Sequence, residues 1–276
     1  MPQKVETVAS LFSGIGGIEL GLEKAGLGTV FQCEICDIAS RVLKQHFPTT
    51  KFQSDVKLVK SLPRVDLLVA GFPCQDLSQA GRATGISGKN SSLVSYVFSL
   101  IQSSRSKPKW IMLENVPFML KLERGRAMSM LVQKTEELGY RWAYRVVDLR
   151  AFGLPHRRRR VIFLASRVES PENVLLSDNV KPLNFELPME GAHGFYWTEG
   201  NTGLGWTFDG IPALKAGSTI GIPSPPGIWF PGKKHIVTPD IRDAERLQGF
   251  PADWTRLAND IGRKASRWKL VGNAFP

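Results

Sequence analysis

Along the first 165 residues, short apolar runs alternate with longer stretches whose apolar positions recur every three or four residues. The runs lie at 6–12, 29–35, 65–71 and 109–114, and the stretches with helical spacing at 17–26, 37–47, 92–105 and 125–139. Runs this short predict buried strands, and the longer periodic stretches predict amphipathic helices. Strand and helix in alternation predict a mostly parallel sheet covered on both faces. Two further runs, 140–148 and 160–166, are separated only by 149–159. That connection is too short for a crossover helix and predicts an antiparallel pair.

The pattern is lost after about residue 168. Residues 191–232 carry 10 Gly, 5 Pro and the tryptophans Trp197, Trp206 and Trp229, but only three charged residues. Gly and Pro punctuate loops, so a small, irregular second domain is expected, with the Trp and Ile residues arguing against a bare linker. A helical segment at 240–249 precedes the last residues.

A length of 276 residues suits one large domain with a smaller partner, and 42% apolar with 22% charged residues is an ordinary globular balance. The net charge of +11 favours a polyanionic partner, nucleic acid before membrane. The N-terminus lacks the basic-then-apolar order of a secretory signal, and no apolar run reaches the roughly 18 residues of a membrane span. With only three cysteines a disulfide framework is not expected, and the cell interior is the default compartment.

The candidate chemistry falls at the predicted strand ends. Phe12-Ser13-Gly14-Ile15-Gly16-Gly17 follows the first strand, and a glycine turn there lets a ligand approach backbone N–H groups. Its spacing is not the G-x-G-x-x-G of dinucleotide enzymes. Glu34 closes the second strand, where an acid can accept from a ribose diol, and Asp55 follows a short run at 51–53, within reach of an adenine amino group. Gly71-Phe72-Pro73-Cys74-Gln75 ends the strand 65–71, and the polar, Gly- and Ser-rich stretch 76–92 has the composition of a loop that closes over a substrate. Glu114 ends the strand 109–114, which is expected to neighbour 65–71, so that a thiol and a carboxyl group meet at one site. Partial desolvation would raise the pKa of that carboxyl group, as a general acid requires. In His156-Arg157-Arg158-Arg159-Arg160 the alternation of a strand turns Arg158 and Arg160 to one side, where a guanidinium fork can hold a carbonyl oxygen or a phosphate. Cys33-Glu-Ile-Cys36 has C-x-x-C spacing, but no second pair or His cluster completes a metal site, and both are taken as structural. Each feature alone also has a bland reading: a tight turn, a small buried apolar side chain, a helix-capping carboxylate, a solvated charge run.

Together, FSGIGG at 12–17, Glu34, Asp55, GFPCQ at 71–75, ENV at 114–116, the Arg-rich strand at 156–160, RDAERLQGFP at 242–251 and GNAFP at 272–276 closely resemble the DNA (cytosine-5)-methyltransferase family of bacterial and phage type, in the family's order. The chain departs from the family's pattern at His156, where Gln is usual, and a closing helix is expected beyond Pro276. The resemblance implies an α/β fold, a Rossmann-like sheet dependent on S-adenosyl-L-methionine, with a smaller target-recognition domain. It divides the chain into a cofactor-binding and catalytic domain at 1–168, a target-recognition domain at 169–262 and a return to the catalytic domain at 263–276. Cys74 is implied as the nucleophile towards cytosine C6, Glu114 as the acid at N3, and Arg160 with Arg158 as stabilisers of the O2 side. The cofactor is implied to lie across Phe12, Gly14, Gly16 and Gly17, with Glu34 on the ribose, Ile35 on the adenine face, Asp55 and Val56 at its edge, and Asn273 closing the pocket. Gln75, Ser78 and Arg242 are implied in nucleic-acid binding, and the target base must be flipped from the duplex. Double-stranded DNA is the implied partner, a restriction endonuclease a companion, the monomer the expected state, and the cytoplasm, at the nucleoid, the expected place. Two alternatives are an RNA enzyme of the tRNA-modifying branch, whose characteristic Cys-Phe-Thr segment is absent here, and an inactive DNA-binding relative, which would usually lack the Cys or the Glu.

Overall fold

The computed structural model describes residues 5–72, 92–177, 191–199, 203–208, 210–217, 223–261 and 266–276. Its large sheet begins with β1 (Thr7–Leu11), α1 (Gly17–Lys24), β2 (Gly28–Cys33), α2 (Asp37–His46), β3 (Lys51–Gln53) and β4 (Leu67–Gly71). It continues through α3 (Ser92–Ser103), β5 (Trp110–Asn115), α4 (Arg126–Glu137) and β6 (Arg141–Asp148), then β7 (His156–Arg157) and β8 (Arg159–Ser166), with α5 (Pro171–Leu175) after it. Seven of these strands form the sheet, in the order β3-β2-β1-β4-β5-β8-β6, and β7 lies outside it. The first five are parallel, and β8 runs antiparallel to both β5 and β6, as the short connection predicts.

The apolar runs are nearly continuous because both faces are covered. On one face Ala9, Leu11, Leu68, Ala70, Ile111 and Leu113 pack against Val97, Phe98 and Ile101 of α3 and Leu131 of α4. Their alternates Val8, Leu67, Val69 and Trp110 pack with Ile18 of α1 on the other. A separate core joins Ile15 and α2 (Ala39, Val42, Leu43) to Phe250, Trp254 and Ala258. Residues 250–258 therefore pack on α2 and the turn after β1.

The second domain is more regular than its composition indicates. β9 (His193–Glu199), β10 (Gly203–Thr207), β12 (Gly227–Phe230) and β13 (His235–Val237) form a four-stranded antiparallel sheet in the order β10-β9-β12-β13, and β11 (Ile211–Pro212) pairs in parallel with β7. The aromatics supply its packing: Phe195 stacks on Trp206 at 5.6 Å and meets Trp197 edge-on at 4.9 Å. Gly227 is there for close approach, since a Cβ would lie 2.6 Å from the Phe195 ring. The chain ends through α6 (Ile241–Leu247), α7 (Ala258–Ile261) and α8 (Ser266–Asn273). No helix among the described residues is long and apolar enough to cross a membrane.

Candidate active site

The strand order reverses between β1 and β4, because the chain moves outward on one side through β2 and β3 and then crosses to the other. Such a switch point opens a crevice beyond the carboxyl ends of the two strands. The glycine turn leaves β1 at this crevice, and the chain leaves β4 there at Gly71.

The turn is held in shape by contacts outside itself. Phe12 has a φ of 60°, Gly14 of 58° and Gly16 of 89°. A Cβ at Gly16 would lie 2.5 Å from the Phe47 ring, and one at Gly17 only 1.8 Å from the carbonyl oxygen of Phe275. These two glycines are thus required by the packing of α2 and of the C-terminal segment. At Gly14 nothing lies within 4 Å of an added Cβ, so the turn has open space beside that residue. Trp254 Nε1 donates to the Ile15 carbonyl at 2.8 Å, and its ring stacks on His46. Glu19 is fully buried beside Ser10 and Ser13 under the turn, and burial holds its carboxyl group above the ordinary range. Neither Trp254 nor Glu19 is found by reading motifs, because their roles depend on where α1 and residues 250–258 pack.

The residues around the turn fit a nucleoside. Glu34 accepts from the backbone N–H groups of Gly14 and Cys36, both at 2.8 Å, which fixes the carboxylate while two of its roughly four acceptor positions are used. The remainder suit the hydroxyl donors of a ribose diol. Ile35 beside it is 74% exposed, an apolar surface suited to a base. Asp55 caps a short 3-10 turn by accepting from Lys57 N–H at 2.9 Å. The side chain of Val56 is buried in the sheet core. Asn273 is exposed at the end of α8. Cys33 is buried, and burial, with Glu34 and Asp55 nearby, pushes its thiol up to about 12, as suits a structural residue. Among the described residues no group of three His, Cys, Asp or Glu side chains is arranged to hold a metal.

β4 and β5 pair with Gly71 opposite Glu114, as expected from sequence. Glu114 Oε2 lies 3.4 Å from where a Gly71 Cβ would be, so the carboxyl group sits beside the last residue of β4. Its Oε1 meets Arg160 Nε at 2.7 Å. Burial raises the Glu114 pKa, and that effect outweighs the opposing pull of Arg160 and Arg158. The result is a carboxyl group inclined to keep its proton while facing an arginine. Cys74, Gln75 and Ser78 lie outside the described residues.

Burial alternates as the sequence suggests, although Arg158 falls between β7 and β8: Arg158 is buried and Arg160 largely so, while Arg159 is exposed and Arg157 half-buried. The structure nevertheless parts the two inward arginines. Arg160 meets Glu114, whereas Arg158 donates from Nη1 to the Gly272 carbonyl at 3.3 Å and from Nη2 to the Ala274 carbonyl at 2.8 Å. Arg242, expected at a phosphate, is exposed in the first turn of α6, where it pairs with the capping Asp240 at 2.8 Å. An exposed pair of this kind costs at most about 1 kcal/mol to exchange for another anion.

His156 is fully buried at the seam between the two sheets. Its Nε2 accepts from Leu214 N–H at 3.0 Å, and its strand pairs with β11. Burial, then the charges of Arg158 and Arg160, push its pKa down to about 3. The unfolded chain takes up this proton near pH 6.5, whereas the folded protein takes it up only near pH 3, so stability is lost as pH falls through that window. The two values bound the effect at about 5 kcal/mol. We expect His156→Gln, which keeps an acceptor for Leu214, to flatten the fall of Tm between pH 6.5 and 4 seen by calorimetry; an unchanged slope would assign the acid sensitivity elsewhere.

Comparison with known proteins agrees with this geometry. Residues 7–199 match the C-5 cytosine-specific DNA methylase family. The chain is 51% identical over 277 residues to the Type II methyltransferase M2.BsuMI of Bacillus subtilis (strain 168), covering 97% of this chain and 71% of that protein. It is 33% identical to the Type II methyltransferase M.DsaV of Dactylococcopsis salina, covering 100% of this chain and 84% of that one. Among solved structures, the Dnmt2 methyltransferase of S. pombe shares the fold at a TM-score of 0.69 and 16% identity, over 99% of this chain and 94% of that one. With the glycine turn at the switch point, a buried carboxyl group on the neighbouring strand, and this match over most of its length, the chain belongs to the C-5 cytosine-specific DNA methylase family.

Proposed function

We propose that the chain methylates carbon 5 of cytosine within a specific duplex DNA sequence through a covalent Cys74–C6 intermediate, with Glu114 and Arg160 as the groups that stabilise it. The observation that carries the assignment is the Glu114–Arg160 pair beside Gly71, three residues before Cys74 in the chain. At no more than about 3.6 Å per residue, the chain limits Cys74 to about 11 Å from Gly71. Carbon 5 of cytosine is a weak nucleophile because the ring is electron-poor. Addition of the Cys74 thiolate to C6 breaks aromaticity and leaves an enamine that is nucleophilic at C5. Negative charge then develops towards N3 and O2. Protonated Glu114 donates at N3 and Arg160 at O2, both to charge that is absent from the resting base. Once C5 carries the methyl group, loss of its proton to a base and expulsion of the Cys74 sulfur restore the ring.

S-adenosylmethionine would be held by the glycine turn, Glu34, Ile35, Asp55, Val56 and Asn273, and would supply the electrophilic methyl group that C5 takes up, with S-adenosylhomocysteine as the leaving group. Gln75, Ser78 and Arg242 contact the DNA, and the four-stranded sheet domain reads the bases beside the target in the major groove, where each pair presents a unique pattern. The enzyme acts as a monomer in the cytoplasm, at the nucleoid, alongside a restriction endonuclease of matching specificity. Support for that companion is the Type II designation of the relatives.

Methyl transfer from labelled cofactor to duplex DNA and to tRNA tests the assignment, with bisulfite sequencing of DNA from expressing cells to give the site. Labelling of tRNA alone would transfer the chain to an RNA enzyme. Duplexes carrying 5-fluorocytosine at that site should trap a covalent adduct, because fluorine cannot leave as a proton; active enzyme that forms none would refute the covalent route.

A further inference from the structure

α8 ends at Asn273, so the carbonyls of its last turn have no further helical N–H to accept from. Buried side chains from elsewhere supply the donors. Gln248 Nε2 donates to the Val271 carbonyl at 2.7 Å. Arg158 takes the next positions, its two terminal nitrogens reaching Gly272 and Ala274 at 3.3 and 2.8 Å. A cation at a helix carboxyl terminus is also favoured by the helix dipole. The two carbonyls that Arg158 holds flank Asn273, and the following residue, Phe275, places its carbonyl oxygen against Gly17 of the cofactor turn.

We infer that Arg158 is a positioning residue for the cofactor pocket: by bracketing Asn273 it sets the wall that closes over S-adenosylmethionine, and it does not act on charge at the cytosine. The inference rests on the assignment of Asn273 to that pocket. Its rival is a direct effect on Glu114, since the Arg158 charge is near enough to oppose the rise in that group's pKa. The planar fork suits the proposed role, because it aims two separate nitrogens at the two carbonyls, whereas a lysine ammonium is a single point charge on a flexible stem. Arg158→Lys therefore removes the bracket while keeping the charge near Glu114.

The experiment is calorimetric titration of the DNA-free protein with S-adenosylhomocysteine, alongside single-turnover methylation at saturating cofactor. For Arg158→Lys we expect Kd for S-adenosylhomocysteine to rise about tenfold or more, with the saturated methyl-transfer rate retained. An unchanged Kd with a slowed saturated step would overturn the proposal in favour of the rival. In an Asn273→Ala background the Arg158→Lys change should add little to Kd, and full additivity would also overturn it. Thermal melting checks folding. If Arg158→Lys does not fold, Gln248→Met removes the side-chain donor to the Val271 carbonyl, one residue before the bracket, without touching Arg158, and should weaken S-adenosylhomocysteine in the same direction; unaltered binding there counts against the proposal. Failure of the wild-type protein to bind S-adenosylhomocysteine would refute the cofactor assignment itself, whereas normal wild-type binding with unaltered variants refutes only the role of Arg158.

Discussion

Cys74→Ser is expected to abolish methylation, by at least about 10⁴-fold in the single-turnover rate, as removal of a covalent nucleophile does. A thiol carries a few per cent thiolate at neutral pH, whereas a serine hydroxyl without an adjacent base carries almost none. The residues assigned to the cofactor do not include Cys74, so S-adenosylhomocysteine is expected to bind the variant as it binds the wild type. The 5-fluorocytosine adduct should disappear on a denaturing gel. Measurable turnover by the serine variant would remove Cys74 from the mechanism while leaving the fold and the cofactor site untouched.

The next largest effect is expected at Glu114. Glu114→Gln keeps the shape and an acceptor for Arg160 Nε, which lies 2.7 Å from the wild-type carboxylate, but it no longer has a proton to give to N3. Loss of general-acid catalysis costs about 10²- to 10⁴-fold, and DNA affinity should change far less. The pH dependence has a definite sign. Burial raises the Glu114 pKa, so the protonated form, which the proposed role requires, predominates below that pKa and is lost as pH rises through it. Above it the carboxylate is charged, paired with Arg160 and unable to donate. The wild-type methyl-transfer rate should therefore fall on the alkaline side, and the glutamine variant should lack that limb. A variant that keeps the same alkaline fall would place the titrating group elsewhere.

The motifs were legible because each stands at the end of a strand whose hydrophobic run is itself legible. The runs at 65–71 and 109–114 become β4 and β5, and their pairing sets Gly71 beside Glu114. Alternation likewise foretold that Arg158 and Arg160 share one side, which the structure turns inward. It did not foretell their separate partners, since those depend on α8 arriving from 114 and 116 residues away. The four-stranded sheet was hidden for a related reason. Glycine read locally means a turn, but Gly227 is where an aromatic ring from another strand needs room.

The sequence by itself determined the strand–helix alternation, the order of the strand-end motifs, the identity of the acid and nucleophile candidates, and the basic character expected of a protein that meets DNA. These follow from local periodicity and from residue chemistry, which need no partner. The tertiary structure alone decided that burial raises Glu114, that His156 joins the two sheets as a neutral imidazole, and that Arg158 holds the end of α8. Desolvation and hydrogen-bond choice belong to groups distant in the chain, and they exist only once packing has brought those groups together.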